Sequence, residues 1–500
     1  MEHQAPPTLQ RLAVVSLLKK EALAISAVAG LPVSLFPATF EVAFRNNQTN
    51  ILRAMVPAWP FTCLPLGALM KTPHLETLKA LLDGLDMLIT EEACPSRGKI
   101  RVLDLTNRYF CTKWTGPCDG DFSHQSTRQK KPVETCPYSG VKKYLNVITD
   151  LRIMESECDE CTTYLWQWAQ QRKNSVHLCC RKLEILTSAY FPIAIDFLKS
   201  VDLHCVRELN MRYILIKDMA SFGPYLRQMR NLHTLSLLYI EKDSSIGESE
   251  QLEEECKNKL VSQLPKFHCL QHLYIHYSNA LVGSLADCLR CLKKPLESLS
   301  ITLCYLIQRD LDYLPRCLNL SVLKHLDLSN TMLDRCVKPL GDLLEGVKDT
   351  LQALYLVGCG LKDSQFSALM PALSQCSQLL KMDFYMNELS LPVLKQLLHH
   401  AAKLNKLSEE RYPVPLECYD GCRVLIHIFD ELGPELLDIL RSERQPKAAS
   451  FEAAVCPTCY LRYVYDLKGS RCWGKPEARC SVMPREYWYE LWMKSFGIAP

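Results

Sequence analysis

Three consecutive segments of the chain place apolar residues at the same spacing. They read VLKHLDLSNTML from Val322, TLQALYLVGCGL from Thr350 and QLLKMDFYMNEL from Gln378. Their middle apolar residues, Leu326, Leu354 and Met382, lie 28 positions apart at each step. Apolar residues two apart on a strand point to the same side. Each segment therefore predicts a short strand whose apolar side chains enter a core.

A polar slot and an apolar run at helical spacing follow each strand pattern. The slot holds Thr331, Cys359 and Asn387, of which Asn is best able to bond neighbouring backbone. After the first slot, helical spacing is kept by Val337, Leu340, Leu343, Leu344 and Val347. A strand and a helix in a repeat of about 28 residues is the leucine-rich-repeat pattern. We predict an α/β leucine-rich-repeat solenoid, a ribonuclease-inhibitor-like horseshoe with parallel strands.

The same pattern runs from Lys182 to Leu407. Its middle anchors are Leu186, Leu209, Leu235, Leu273, Leu299, Leu326, Leu354 and Met382. The long step before Leu273 contains the acidic insert Glu241 to Glu255, a predicted exposed loop or helix start. We predict a helical N-terminal cap over 1–95, and a first repeat-like unit over 96–181 with a long polar loop at 106–140. The repeats then span 182–407, and 408–500 forms a C-terminal cap with a Cys-rich tail.

Side chains that flank the buried anchors are predicted to line the concave face. The predicted contact residues are Arg212, His272, Tyr274, His276, Asp327, Tyr355, Asp383 and Tyr385. Tyr and Arg are enriched at protein interfaces, which favours a partner-binding surface, and an ordinary hydrated face is the alternative. His272 and His276 are four residues apart on a strand, about 13 Å, and cannot share a metal ion directly.

The first forty residues contain a second candidate interface. TLQRLAVVSL places Leu9, Ala13 and Leu17 on one helical face and resembles the elongin-C-binding box of cullin-RING substrate receptors. Leu9 would be the apolar knob and Ala13 the small residue that permits close approach. Leu31, Pro32 and Leu35 follow in the arrangement of a cullin box. The alternative is a helix that only caps the solenoid core.

Several long blocks resemble the PRAME (preferentially expressed antigen in melanoma) family. They include APPTLQRLAVVSLLKKEALAISAV, LPVSLFPATFEVAF, AMVPAWPFTCLPLGALMK, LETLKALLDGLDMLI, RYPVPLECYDG and CPTCYLRYVYDL. The resemblance implies a germline-enriched leucine-rich-repeat protein that acts as substrate receptor of an elongin–cullin ubiquitin ligase. It also implies roles in repressing transcription, opposing apoptosis and differentiation, and promoting proliferation. Ala13 stands where many receptors have Cys.

Three L-x-x-L-L strings offer another hypothesis. They are LKALL at 78–82, LGDLL at 340–344 and LKQLL at 394–398. Exposed helices of this kind dock on nuclear receptors. In repeat helices the leucines are expected to face the core instead.

The net charge, the N-terminal segment and the cysteine content indicate the class of protein and its compartment. The net charge is only +3, which argues against a dedicated nucleic-acid binder. The first apolar run is cut by Lys19, Lys20 and Glu21, so we expect no secretory signal, and no apolar segment is long enough to predict a membrane span. The 25 Cys are then expected as reduced thiols in a cytoplasmic protein that can also be nuclear.

The C-terminal tail contains one pattern that suits a metal. Cys456 and Cys459 form a C-x2-C half-site, and Cys472 and Cys480 could complete it. Free or core thiols are the alternative. Four Cys ligands would leave no open position, so any zinc there would be structural, and we expect no other cofactor.

The sequence contains no recognisable catalytic motif, and we expect no enzymatic activity. The leading hypothesis is a substrate adaptor that binds elongin B, elongin C and a cullin through 1–95 and a target protein through the repeats. The alternatives are a transcriptional corepressor or scaffold that recruits no ligase, and an inhibitor horseshoe that binds one partner.

Overall fold

The computed structural model describes residues 8–67, 69, 74–90, 100–106, 145–154, 160–186, 191–241, 255, 258–278, 283–333, 337–421, 423–453 and 462–473. Its contacts divide the chain into two units, Met1–Arg207 and Glu208–Pro500. Most of the predicted polar loop and acidic insert, together with Cys456, Cys459 and Cys480, lies outside the described residues. Within these ranges no helix is both long and apolar enough to cross a lipid bilayer.

The first unit begins with helices. They are α1 (Leu9–Leu18), α2 (Glu21–Ala27), α3 (Phe36–Arg45), α4 (Thr49–Met55) and α5 (Leu75–Thr90). Thr8 caps α1 by accepting a hydrogen bond from the Arg11 backbone N–H at 3.3 Å. Phe40 and Trp59 are fully buried and meet edge to face, with ring centroids 5.2 Å apart. The predicted helical N-terminal region is therefore built around an aromatic core.

Parallel strands complete the first unit. They are β1 (Cys63–Pro65), β2 (Val102–Asp104), β3 (Leu145–Met154) and β4 (Val176–Leu186), with α6 (Glu160–Gln171) and α7 (Phe191–Leu198). Leu64 pairs with Leu103, which pairs with Val147, which pairs with Leu178. The strand ladder thus begins at β1, inside the segment predicted to be helical.

The second unit repeats a strand and a helical segment. Its strands are β5 (Glu208–Leu215), β6 (Thr234–Glu241), β7 (His272–His276), β8 (Ser298–Thr302), β9 (His325–Asp327), β10 (Ala353–Tyr355), β11 (Lys381–Asp383) and β12 (Glu409–Pro413). Its helices are α8 (Ile216–Leu226), α9 (Leu285–Arg290), α10 (Gln308–Tyr313), α11 (Val337–Val347), α12 (Asp363–Gln375), α13 (Leu391–Ala402) and α14 (Ile426–Arg441). All paired strands from β5 to β12 are parallel, which confirms the predicted leucine-rich-repeat solenoid.

The predicted anchors occupy one register across these strands. Paired in order are Leu209, Leu235, Leu273, Leu299, Leu326, Leu354 and Met382, and all seven are buried. Leu186 differs from the prediction: it is half-buried at the end of β4, and Leu183 and Ile185 enter the core instead.

The ladder also continues beyond Leu407, where the pattern fades. Glu410 of β12 pairs with Met382 and so occupies the anchor position. β12 pairs with the parallel strand β15 (Ala448–Glu452), and β15 with the antiparallel hairpin of β16 (Arg462–Asp466) and β17 (Gly469–Trp473). A small antiparallel pair, β13 (Tyr419–Asp420) and β14 (Arg423–Val424), lies between β12 and α14.

The L-x-x-L-L leucines face the core, as expected for repeat helices. Buried are Leu78, Leu81 and Leu82, then Leu340, Leu343 and Leu344, then Leu394, Leu397 and Leu398. These leucines are therefore inaccessible to a nuclear receptor in the folded chain.

The slot residues tie each repeat to the one before it. Cys304 donates to the Ile275 carbonyl, Thr331 to the Ile301 carbonyl at 3.0 Å, and Cys359 to the Leu328 carbonyl at 3.2 Å. Burial raises the pKa of the Cys304 thiol to about 11, so it remains a donor at neutral pH.

Asn387 completes the row with four hydrogen bonds. Its Nδ2 donates to the carbonyls of Leu356 at 2.6 Å and Phe384 at 2.9 Å. Its Oδ1 accepts from the backbone N–H groups of Cys359 at 3.1 Å and Leu361 at 3.2 Å. The predicted slots therefore satisfy backbone groups that would otherwise be buried without partners.

A graded pair of substitutions tests the slots. Asn387→Ala leaves two N–H groups and two carbonyls without that partner and should lower the free energy of unfolding by about 3 kcal/mol. Thr331→Val removes one hydrogen bond at nearly constant shape and should cost about 1 kcal/mol. Urea-unfolding midpoints measure both. Equal costs for the two variants would contradict the proposed role of the amide.

The buried ion pair at the end of the ladder gives a second prediction. The Arg444 guanidinium donates to both Glu410 oxygens at 2.6 and 2.5 Å, and their side chains are 7% and 0% exposed. Arg444→Met leaves a buried carboxylate unpaired and should cost about 3–5 kcal/mol. Arg441→Met is the matched control, because Arg441 pairs with Asp438 on the surface, and it should change stability by about 0.5 kcal/mol or less. Equal urea midpoints for the two variants would show that the buried pair is not needed.

Candidate functional site

The first candidate surface is the face of α1 that carries Leu9, Ala13 and Leu17. Leu9 is 85% exposed, Ala13 is exposed and Leu17 is half-buried. Val14 and Leu18, on another face of the same helix, are buried against the unit's core. The helix is thus held by Val14, Leu18 and the buried part of Leu17, and it presents Leu9 and Ala13 to solvent.

Further apolar side chains in the same segment are exposed. Residues 9–33 contain six exposed large apolar side chains, namely Leu9, Leu12, Val15, Leu23, Ile25 and Val33. Single exposed apolar residues are ordinary, but a concentration of them in one short stretch is typical of a protein–protein contact.

The segment predicted as a cullin box is a short 3₁₀ turn. Val33–Leu35 forms the turn after Pro32, and the Leu35 N–H donates to the Pro32 carbonyl at 2.9 Å. Pro32 is exposed, whereas Leu31 and Leu35 are half-buried. The turn leaves part of all three side chains available for contact.

The second candidate surface is the outward face of the parallel strands in the second unit. Asn210, Ser236, Tyr274, Ser300, Asp327, Tyr355 and Asp383 occupy one row of equivalent positions. Tyr274 is exposed, and Arg212, Asp327 and Tyr355 are half-buried. Most of the predicted contact residues therefore retain solvent access on one face.

The two predicted histidines lie at opposite ends of β7. His272 Nδ1 lies 2.9 Å from Ser298 Oγ, and His276 Nδ1 lies 2.7 Å from Thr302 Oγ1. Partial burial lowers the pKa of both imidazoles, so both are mainly neutral at pH 7. Neutral imidazoles beside hydroxyls make this part of the face a hydrogen-bonding rather than a charged surface.

An aromatic row beside His276 was not predicted. Tyr213 stacks on Tyr239 with centroids 4.8 Å apart, and Tyr239 contacts Tyr277 and His276, each at 5.2 Å. The three Tyr have positive φ angles of 55°, 53° and 47°, so each lies where its strand turns left-handed. Their sequence signal is the recurrence of Tyr four residues after the anchors Leu209, Leu235 and Leu273.

A charged cavity of about 810 Å³ lies at the other end of the face. Lys381, Arg411, Lys447, Arg462 and Lys468 line it together with Asp383, Glu409, Glu410, Glu452 and Asp466. Arg411 lies 3.3 Å from Asp383, and Lys381 lies 2.7 Å from Glu409. The balanced charges favour a partner that is itself mixed in charge.

At Asp383 and Tyr385 the structure differs from the prediction of an open face, because both side chains are buried. The Tyr385 hydroxyl donates to the Ala453 carbonyl at 3.2 Å, and the Arg462 guanidinium lies over its ring at 4.6 Å. Burial also raises the pKa of Asp383. Ala453, which follows β15, and Arg462 of β16 cover this end of the row.

Three of the four predicted metal ligands in the tail lie outside the described residues. Cys472 lies in β17, while Cys456, Cys459 and Cys480 fall outside the described ranges. The zinc hypothesis for the tail therefore stays a prediction.

Comparison with known proteins places this geometry in a family. The model for the PRAME N-terminal domain matches residues 6–110, and the model for the PRAME C-terminal domain matches residues 145–473. Oogenesin-3 of Mus musculus is 48% identical over 471 residues, covering 93% of this chain and 94% of that protein. PRAME family member 12 of Homo sapiens is 42% identical over 481 residues, covering 94% and 98%.

Two solved structures are more distantly similar. A crystal structure of the Rad7 and Elc1 complex in yeast matches at 16% identity with a TM-score of 0.32, covering 50% of this chain and 69% of the other. An internalin (inlF) of Listeria monocytogenes matches at 16% identity with a TM-score of 0.28, covering 49% and 69%. On the two domain matches and the near full-length relatives, the chain belongs to the PRAME family.

Proposed function

We propose that this chain is a non-enzymatic substrate adaptor of an elongin–cullin-RING ubiquitin ligase. The observation that carries the proposal is the α1 face, on which Leu9 is 85% exposed while Val14 and Leu18 anchor the helix. A helix held in this way can insert its free apolar face into a groove of a partner. The proposed partner that carries this groove is elongin C, in its complex with elongin B.

The target would bind the outward face of the second unit. Tyr274, His276, Tyr355 and the charged cavity supply hydrogen-bonding, aromatic and ionic contacts on one side of the ladder. The adaptor would hold the target near the ligase's catalytic partners and thereby raise the effective concentration of its lysines. Degradation of the target would then produce the effects on transcription, apoptosis, differentiation and proliferation that the family resemblance implies.

The alternative is a transcriptional corepressor or scaffold that binds proteins through the same face and recruits no ligase. It gives no reason for the exposed apolar stripe on α1. The L-x-x-L-L segments that would dock such a protein on a receptor also give it little support, since their leucines are buried.

The first test is a matched pair of substitutions at equally exposed leucines. Leu9→Ser should weaken binding of the elongin B/elongin C complex at least about tenfold, because a buried Leu contributes about 1.5–3 kcal/mol. Leu318→Ser is the control, since Leu318 is also 85% exposed but lies in the second unit. Calorimetry with purified elongins measures both affinities, and circular dichroism checks the fold. Wild-type protein that binds no elongin, or a folded Leu9→Ser variant that binds normally, would favour the scaffold.

The second test separates the cullin from the elongins. Pro32→Ala should leave elongin binding unchanged and weaken capture of the cullin by the assembled complex about fivefold, the loss of about 1 kcal/mol of contact. Pro295→Ala, at another exposed proline, is the control. Unchanged cullin capture by Pro32→Ala would remove Pro32 from the interface.

A further inference from the structure

Three potential metal ligands, His177, Asp202 and Cys205, converge in the first unit, and Cys179 lies on the same strand as His177. His177 and Cys179 lie on β4, while Asp202 and Cys205 lie at the 3₁₀ turn Leu203–Cys205. His177 Nε2 is 2.8 Å from Asp202 Oδ2, and Cys205 Sγ is 3.7 Å from the same oxygen. The ligand atoms of His177, Asp202 and Cys205 all lie within 4.8 Å of one another.

The local structure explains this convergence. His177 and Cys179 are two apart on β4, so both point away from the core that receives Val176, Leu178 and Cys180. The Asp202 N–H donates to the Leu178 carbonyl at 3.2 Å, which brings the turn alongside the strand. Cys179 also forms an isolated parallel β-bridge with Asp202, which places its backbone beside the turn.

The orientation of His177 suits a metal ligand. Its Nε2 donates to the Asp202 carboxylate at 2.8 Å and its Nδ1 lies 3.1 Å from Asn146 Oδ1, an acceptor, so a metal ion that replaced the hydrogen on Nε2 would leave Nδ1–H donating to Asn146. Histidine ligands commonly donate their other ring N–H to such an oxygen, which fixes the ring and its tautomer. The second Asp202 oxygen accepts from the His204 N–H at 2.9 Å and lies 3.2 Å from His204 Nδ1, which holds the carboxylate in place.

We propose that His177, Cys179, Asp202 and Cys205 bind one zinc ion. One imidazole, two thiolates and one carboxylate are a set that zinc accepts, and in a tetrahedral site such atoms lie about 3.5 Å apart. The ligand atoms of His177, Asp202 and Cys205 already lie within 4.8 Å of one another, and Cys179, whose backbone bridges Asp202, would turn its side chain toward them as the fourth ligand. On binding, both thiols lose their protons and the ion takes the place of the hydrogen between His177 and Asp202. With four protein ligands the site is structural and ties the turn to β4.

Cobalt(II) is the probe, because thiolate–cobalt bonds give a near-ultraviolet charge-transfer band. Full-length protein, reduced and stripped with chelator, should bind one equivalent of Co²⁺ with this band, and Zn²⁺ should abolish it. The double variant Cys179→Ser/Cys205→Ser should lose that equivalent. The control Cys269→Ser/Cys291→Ser removes two other half-buried thiols and should retain it. Cys456→Ser/Cys459→Ser should also retain it, which separates this cluster from the predicted tail site.

His177→Gln provides a readout that leaves both thiols in place. It should weaken Co²⁺ binding at least about tenfold, and circular dichroism establishes that the variant is folded. If the double variant does not fold, the His177→Gln affinity decides, and an unchanged value overturns the proposal. No cobalt band in the reduced wild type, a band lost only with the tail cysteines, or a Cys179–Cys205 disulfide without metal binding would also overturn it.

Discussion

The stacking of each repeat's backbone on its neighbour is the constraint on which the second unit depends. Strands β9, β10 and β11 are only three residues long, so they supply few ladder hydrogen bonds. The chain leaves each strand through buried backbone, where an unpaired N–H or carbonyl is costly. Thr331, Cys359 and Asn387 pair with these groups and join consecutive repeats. The same stacking aligns outward side chains into rows, so it also determines what the binding face can present.

This dependence explains which features the sequence predicts well. Core side chains must repeat when the backbone repeats, so a fixed step between leucines predicts both the strands and their register. The prediction fails where another interaction replaces an apolar contact. Glu410 can occupy an anchor position because Arg444 and the Tyr412 hydroxyl satisfy its carboxylate. A charged residue at that position breaks the leucine pattern, so the last repeats are not identified from the sequence. At Leu186 the buried positions are shifted because the pairing of β4 with β3 skips Arg181, an irregularity that the repeat pattern does not anticipate.

The candidate surfaces likewise combine features that the sequence predicts with features that it does not. A helix over Leu9–Leu18 follows from local spacing, but which face stays free depends on packing against α2 and α3. The burial of Tyr385 depends on Ala453 and Arg462, about seventy residues further along the chain. The His177 cluster likewise joins two segments that show no joint pattern in sequence. Contacts between distant segments, made by side chains outside the repeat pattern, are what a single sequence does not reveal.

The two proposed interfaces differ in chemistry, and the difference fits the two tasks of the proposed adaptor. The α1 face is apolar, and apolar contacts give affinity with little dependence on salt or on exact charge placement. An apolar interface therefore suits a partner that is the same in every complex. The outward face offers hydroxyls, neutral imidazoles and a cavity lined by exposed and half-buried charged side chains such as Lys381, Glu409 and Arg411. Buried or half-buried charges reject partners that do not match them, since each unmatched charge remains desolvated without compensation. Selection among targets is therefore better served by the polar face, and constant attachment by the apolar helix.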